Sequence, residues 1–230
     1  MYIALVKSLN LMKIKLHHLL VAFLICLTVP IQAQEEAGTH FGVKVGMGYS
    51  TLYGKDFEKE FYPDLKPRYG FHAGFYSEFY LNRDFSVQVE LMYNEQGFGF
   101  TEETELGGIE TEEIRIDEIR WNLYYVNFPV LIKYYATNAL TIEVGPQIGY
   151  NFLSRRERII DAGSERQDLE IINPFDFAAT GGVTYKFNFD IFLQARVTAG
   201  LNSLFDIEGA DENPQIHNLY GQLSVGYRFF

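Results

Sequence analysis

The most constraining feature of the sequence is the strict alternation of apolar and polar side chains over "NFDIFLQARVTAGLNS", residues 188–203. Successive side chains of a β-strand point to opposite faces, so this period of two predicts a strand with two unlike faces. The polar face carries Gln194, Arg196 and Thr198. The apolar face consists of Ile191, Leu193, Ala195, Val197, Ala199 and Leu201. Such a strand must lie between an apolar phase and a polar one.

The same alternation recurs along the rest of the chain. Together with the stretch above, eight strands without a convincing helix predict a closed antiparallel barrel. The stretch at residues 122–135 fits less well, because Leu131 falls on its polar face beside Asn127 and Lys133. The seven further stretches are residues 41–50, 71–81, 85–96, 122–135, 140–152, 175–187 and 219–230.

The two faces of these strands indicate which side of the barrel meets lipid. The apolar faces carry no charge, whereas the opposite faces are rich in Gly, Gln, Ser, Thr and single charges that can fill a narrow lumen. We therefore predict an all-β, eight-stranded transmembrane up-and-down barrel of outer-membrane type, rather than a soluble barrel with an apolar interior. Aromatic residues near the ends of the apolar faces are expected to form girdles at the membrane boundaries. They are Phe41, Tyr49, Phe75, Phe79, Phe85, Tyr93, Tyr134, Tyr150, Phe152, Phe175, Phe187, Tyr227 and Phe229.

The connections between the predicted strands alternate in length. The tight turns are "LNRDF", "YATNAL" and "FNFD". Outer-membrane barrels have short periplasmic turns and longer extracellular loops, so both termini are expected in the periplasm. The long polar connections are residues 51–68, 97–118, 153–172 and 203–217.

The N-terminus has the pattern of a secretory signal peptide. Three lysines precede an apolar run from Leu19 to Val29, and a small residue, Ala33, stands before the expected cleavage point. We expect a signal peptide at 1–33, starting at Met1 or Met12, and a barrel domain at 34–230. Cleavage removes the only cysteine, so no disulfide is expected. The net charge of −11 argues against a nucleic-acid partner.

Six stretches of the chain together match the pattern of a known family. They are "FGVKVGMGYS", "FSVQVELMYNEQGFGF", "YYVNFPVLIKYY", "IEVGPQIGY", "FAATGGVTYKF" and "LSVGYRFF". In these stretches the chain resembles the PorT-like, outer membrane protein β-barrel domain family of Gram-negative bacteria. The resemblance implies an outer-membrane location and eight strands. Some members of that family serve protein secretion and gliding machinery, so the resemblance does not imply one activity.

Charged residues on the polar faces are expected to pair inside the barrel. The four acids and five bases are nearly balanced, as pairing requires. We predict that Lys133, Glu143 and Lys186 form a cluster that plugs the periplasmic half of the lumen. The full set is Lys44, Glu78, Glu90, Lys133, Glu143, Asp176, Lys186, Arg196 and Arg228.

Two of the long connections carry opposite charge. The basic one contains Arg155, Arg156, Arg158 and Arg166. The acidic one is interpreted as a solvated extracellular hairpin with its tip at Gly107 and Gly108, or as a site for a divalent cation or basic partner. A salt-bridged lid between the two connections is a further hypothesis. The acids are Glu102, Glu103, Glu105, Glu110, Glu112, Glu113, Asp117 and Glu118.

The sequence offers little catalytic chemistry. Ser50 and His72 both point inward near one barrel mouth and form the only candidate nucleophile and base, whereas no metal-ligand cluster stands out. We therefore predict a non-enzymatic accessory or binding protein of the cell envelope. It is expected to have no cofactor, and its expected partners are outer-membrane lipid and other envelope proteins. The alternatives are a small-solute porin, a component of a protein secretion or gliding apparatus, and a Ser/His lipid hydrolase.

Overall fold

The computed structural model describes residues 38–54, 65–107, 112–160, 163–168, 172–187, 190–205 and 215–229. The predicted signal peptide lies outside these residues. Within the described ranges, no helix has the length and apolarity needed to cross a membrane. The strands are β1 (Thr39–Tyr53), β2 (Lys66–Tyr80), β3 (Phe85–Gly107), β4 (Glu112–Tyr135), β5 (Leu140–Ile160), β6 (Gly163–Asp168), β7 (Phe175–Lys186), β8 (Ile191–Gly200) and β9 (His217–Arg228).

The strands form one closed ring. Their order is β4-β3-β2-β1-β9-β8-β7-β5-β6, and an additional pairing of β4 with β5 closes the sheet. Because β6 pairs only with β5, the other eight strands make up the barrel. Every pairing with a described register is antiparallel. The predicted eight-stranded antiparallel barrel is confirmed, and β6 is a strand that the sequence pattern did not predict.

The outer wall is apolar and the lumen is mainly polar, as the alternation predicted. In β8, burial alternates residue by residue, with Leu193 and Val197 exposed and Gln194 and Arg196 buried. Leu131 is fully buried in the lumen, where the phase of β4 places it. Predicted girdle residues that lie exposed on the outer wall include Tyr49, Phe75, Phe85, Tyr134, Phe152, Phe175, Phe187, Tyr227 and Phe229.

Two of the long connections continue the barrel strands as paired hairpins. For the acidic connection this confirms the predicted hairpin, whereas the strand pairing in the basic connection was not predicted. The β3–β4 ladder continues from Thr101 opposite Glu118 to Gly107 opposite Glu112, and the β5–β6 ladder joins residues 155–160 to residues 163–168. Charged residues indicated loops, but the ladder is formed by backbone hydrogen bonds, which charged side chains do not prevent. We call the end of the barrel that carries these two ladders the hairpin end. The opposite end, which carries residues 81–84, residues 136–139, Phe187 and Asp190, is the turn end.

Inward-facing glycines leave room for large aromatic side chains in the narrow lumen. A Cβ atom on Gly48 would lie 2.1 Å from the ring of Tyr220, and one on Gly226 would lie 2.0 Å from the ring of Phe192. Each glycine sits where another side chain approaches the backbone closely. The lumen is thereby packed with side chains, as the small diameter of an eight-stranded barrel allows.

Candidate functional site in the barrel

A pair of oppositely charged residues crosses the middle of the lumen. Arg196 on β8 donates two hydrogen bonds to Glu90 on β3, of 2.8 Å from Nη1 and 2.9 Å from Nη2. β3 and β8 are four steps apart in both directions around the ring, so they are opposite walls of the barrel. The pair therefore spans the full width of the lumen.

Two further charged residues complete this lumen charge network of Lys44, Glu90, Glu143 and Arg196. Arg196 also pairs with Glu143, at 2.7 Å from Nη2 and 2.9 Å from Nε. Lys44 pairs with Glu90 at 2.8 Å and donates to Gln194 at 2.8 Å. All four charged residues are at most 3% exposed. Two cations thus face two anions in a buried site, and each charge has a hydrogen-bonded partner as burial demands.

A second charged group lies closer to the turn end. Lys133 pairs with Glu78 at 3.1 Å and donates to Gln88 at 2.8 Å. Glu78 also accepts hydrogen bonds from Ser86 at 2.5 Å and from the hydroxyl of Tyr135. The lumen charges are therefore connected through Gln88, whose amide donates to Glu90 of the lumen charge network.

The predicted cluster of Lys133, Glu143 and Lys186 is wrong in its partners. Lys133 and Glu143 are direct backbone partners on β4 and β5. Their side chains diverge, because Glu143 accepts from Arg196 and Lys133 turns to Glu78. Lys186 lies at the turn end, partly exposed, and pairs with Asp190 at 3.4 Å.

Asp190 forms ion pairs with two cations at the turn end. Arg228 also reaches it, with an Nη2–Oδ1 distance of 2.6 Å. The hydrogen bond and charge of Arg228 hold the pKa of Asp190 below its usual range. Asp190 itself has a φ of 57°, a conformation that Asp tolerates better than most residues. Lys186 and Arg228, both predicted to be lumen charges, are thus bound at the rim.

Asp176 is a buried acid that forms no salt bridge among the described residues. It is 7% exposed and lies in a row with Gly149 and Asn127, on three neighbouring strands. Asn127 Oδ1 is also buried and has no hydrogen-bond partner there. Asp176 forms a hydrogen bond with the neutral side chain of Asn218, whereas Glu78, Glu90 and Glu143 each pair with a Lys or Arg.

The candidate pair of Ser50 and His72 does not form. Ser50 Oγ donates to the carbonyl of Gly97 at 2.7 Å and accepts from its N–H at 2.8 Å. Gly97 has a φ of 154°, so Ser50 stabilises an irregular point of β3. His72 Nε2 instead lies 2.7 Å from Ser224 Oγ, and both residues are buried. The Ser50 and His72 pairing that the sequence suggested is therefore wrong, because each residue has a different partner.

An apolar plug fills the lumen towards the hairpin end. Phe98 stacks on Trp121 with ring centroids 5.4 Å apart, and Phe205 meets Trp121 edge-on at 5.9 Å. The sequence analysis missed this plug because it ended the strand near residue 97. The signal was present, since Phe98 and Phe100 continue the inward phase of Gln96. The plug consists of Leu52, Phe98, Phe100, Ile119, Trp121, Leu123, Tyr125, Ile172, Leu204 and Ile216, with Phe205 packed against it.

The arginines predicted as a basic loop lie on the β5–β6 hairpin. Arg155 pairs with Asp168 at 3.2 Å, and Arg166 pairs with Glu157 at 3.0 Å. A polar cavity of about 470 Å³ lies beside the hairpin. It is lined by Arg156, Arg158, Glu165, Arg166 and Gln167.

Only one side chain of the predicted acidic loop is described. Glu118 pairs with Arg120 on its own strand at 2.9 Å, and this hydrogen bond lowers the pKa of Glu118. The salt-bridged lid therefore stays a prediction. No cluster of His, Cys, Asp or Glu within the described ranges is suited to hold a metal ion. Outside the described side chains lie Glu102, Glu103, Glu105, Glu110, Glu112, Glu113 and Asp117.

A comparison with protein families matches the model for the outer membrane protein β-barrel domain over residues 32–206. The chain belongs to this outer membrane protein β-barrel family. Its place is the outer membrane of a Gram-negative cell, where lipid covers the apolar outer wall. A search of the curated proteins found no match.

Solved structures similar to this outer-membrane barrel have low sequence identity to it. The attachment invasion locus protein Ail of Yersinia pestis, solved with the heparin analogue sucrose octasulfate, is 14% identical; the match covers 83% of this chain and 99% of Ail, with a TM-score of 0.45. Neisserial surface protein A is 11% identical; the match covers 84% of this chain and 99% of that protein, with a TM-score of 0.48. OprG from Pseudomonas aeruginosa is 12% identical; the match covers 85% and 98%, with a TM-score of 0.39.

Proposed function

We propose that this outer-membrane barrel is a closed, non-enzymatic binding protein that acts through its hairpin end. The observation that carries the proposal is the bond between Arg196 and Glu90, which joins opposite walls of the lumen. A solute crossing the barrel would have to break this pair, and Glu143 and Lys44 hold it from two other strands. Breaking a buried ion pair leaves uncompensated charge and is strongly unfavourable.

The apolar plug supplies a second barrier of a different kind. It lies in series with the lumen charge network, nearer the hairpin end, and its central rings stack on one another. A hydrated ion or sugar that passed the charges would still have to enter this apolar layer and lose its hydration, which costs several kcal/mol. Two barriers of opposite character favour a closed barrel over a small-solute porin.

The hairpin end offers the surface for binding. β3, β4 and β5 are the longest strands, with 23, 24 and 21 residues, whereas β8 has 10. Outer-membrane barrels place their short turns in the periplasm and their long connections outside the cell. We assign the hairpin end to the extracellular side and both termini to the periplasm, following export by the signal peptide at 1–33. The PorT-like stretches of the sequence support a role as an accessory of a larger envelope assembly.

Conductance in a planar lipid bilayer tests this proposal. The full-length barrel should insert without a steady open channel. A second protein lacks both the crossing pair and the stacked pair of the plug, as Glu90→Ala/Arg196→Ala/Phe98→Ala/Trp121→Ala. If this variant folds, it should show measurable conductance. Heat-dependent mobility on gels reports folding of each protein. A stable, mostly open channel from the unaltered barrel would overturn the closed-barrel proposal and favour the porin.

A further inference from the structure

The β5–β6 hairpin sorts its four arginines onto two faces. Adjacent residues of a strand point to opposite sides, so Arg155 and Arg156 cannot share a face. Arg155 is the backbone partner of Asp168, Arg166 is the partner of Glu157, and both pairs form ion pairs. One face of the hairpin is therefore neutralised by its own acids.

The other face also carries two arginines. Its described members are Arg156 opposite Gln167 and Arg158 opposite Glu165, and Arg158 makes a further interaction as well. Arg156 Nε is buried and has no hydrogen-bond partner among the described residues. A buried donor without an acceptor is costly, and an incoming acceptor would remove that cost.

This face points towards the barrel mouth rather than towards lipid. Arg156 is the direct partner of Trp121 across β4 and β5, and direct partners project to the same side of a sheet. Trp121 lies in the apolar plug inside the barrel. Arg156 and Arg158, which line the cavity of about 470 Å³, therefore lie on the inward side of the hairpin and not on the outer wall.

We propose that this cavity binds a small phosphorylated or sulfated solute, whose oxyanion is held by Arg156 and Arg158; the proposal rests on the function proposed above and names its ligand class. Planar guanidinium groups donate paired hydrogen bonds that match phosphate and sulfate oxygens. The cavity volume falls in the range of small-ligand sites.

The charge of the rest of the protein argues for a small ligand. The net charge of the chain is −11, so an acidic macromolecule spread over the surface would be repelled. A compact anion that contacts only the locally basic cavity avoids that repulsion.

The only tryptophan of the chain lies beside the site and reports on it directly. Sodium pyrophosphate is titrated into the full-length barrel in neutral detergent while Trp121 fluorescence is recorded. The unaltered protein should show a saturable change. Arg156→Gln and Arg158→Gln should each weaken binding about tenfold or more, because each removes charge-assisted hydrogen bonds.

Arg155→Gln is the matched control, since it removes the same charge from the neighbouring position on the neutralised face. It should bind pyrophosphate like the unaltered barrel. Equal weakening in all three variants would overturn the proposal, because general electrostatic attraction would then explain the signal. The absence of saturation in the unaltered protein would overturn it as well. The heat-dependent gel mobility of every variant confirms that it folds.

A second arm separates a soluble ligand from a lipid headgroup. The titration is repeated with the barrel in phosphatidylcholine nanodiscs, with and without phosphatidylglycerol. Equal affinity in both supports a soluble ligand, whereas competition by phosphatidylglycerol would overturn that assignment and give the site to lipid phosphate. An open channel in the bilayer experiment, with this titration intact, would remove the closed barrel and leave the anion site standing.

Discussion

Arg196 and Glu90 join opposite walls of the barrel through two parallel hydrogen bonds of 2.8 and 2.9 Å. Their residue numbers differ by 106, so the closure of the whole ring brings them together. Glu90 also accepts from Lys44 and Gln88, and Arg196 also donates to Glu143. The pair acts as a cross-brace of the lumen, and its loss should be felt in stability as well as in permeability.

Glu90→Gln should destabilise the barrel strongly. The substitution keeps the shape of the side chain but leaves Arg196 and Lys44 facing one buried acid, Glu143. We expect a loss of about 3–5 kcal/mol in the free energy of unfolding, less where water enters the lumen. Urea unfolding followed by gel mobility measures it. Glu118→Gln is the control, because the pair with Arg120 is exposed and worth about 0–1 kcal/mol. Equal midpoints for the two variants would contradict the cross-brace.

Asp176→Asn should have the opposite sign. Asp176 is buried, forms no salt bridge among the described residues and has a hydrogen bond with the neutral side chain of Asn218, so the burial of its charge should be a net cost. Removing the charge should raise the free energy of unfolding by about 1 kcal/mol or more. The same urea unfolding experiment measures it. Asn127→Asp, which adds a second carboxylate to the same row, should lower the stability. A destabilised Asp176→Asn variant would mean that the carboxylate has a stabilising partner.

Gly226→Ala should destabilise through a clash inside the lumen. The new Cβ atom would lie 2.0 Å from the ring of Phe192, and overpacking of this kind costs about 1–3 kcal/mol. Phe192→Ala in the same chain should remove most of that penalty, which a double-mutant cycle on unfolding free energies measures. Gly221→Ala is the control, since the nearest atom would lie 3.8 Å away. Additive effects of the Gly226 and Phe192 changes would argue against the contact.

The contribution of Asp190 to stability should depend on pH. Arg228 lowers the pKa of this carboxyl from its usual value of 3.8. A carboxyl with a lowered pKa stabilises the folded state above its unfolded pKa, and this stabilisation is lost as pH falls through the folded pKa. Asp190→Asn keeps the tolerance for the positive φ but removes the charge. The unaltered barrel should therefore be more stable than Asp190→Asn at pH 6, and the difference should shrink as pH falls below 3.8.

Urea midpoints of the two proteins, compared across this pH range, measure the effect. Arg83→Gln, a change of one charge elsewhere at the turn end, should not alter the pH dependence. If the difference in urea midpoint between the unaltered barrel and Asp190→Asn stays constant from pH 6 to pH 3, Lys186 and Arg228 do not stabilise the barrel through the charge of Asp190.

The sequence by itself determined the eight barrel strands, their inward and outward faces and the lipid-facing wall, but not β6. In β8, the phase that separates Leu193 from Gln194 depends only on the local period of two, and local rules suffice to predict it. The alternation in β4 likewise placed Leu131 in the lumen, and the structure confirms it. These features do not depend on which strands lie opposite each other.

Only the tertiary structure decided which inward residues meet. Lys133 and Glu143 are adjacent in the ladder, yet Lys133 bonds Glu78 and Glu143 bonds Arg196. In the apolar plug, the contact between Phe98 and Trp121 likewise depends on the register of β3 against β4 beyond Gly97. Partner choice across a lumen depends on the closure of the ring, on its stagger and on the reach of each side chain. Those are properties of all eight strands together, and the alternation within any one strand does not contain them.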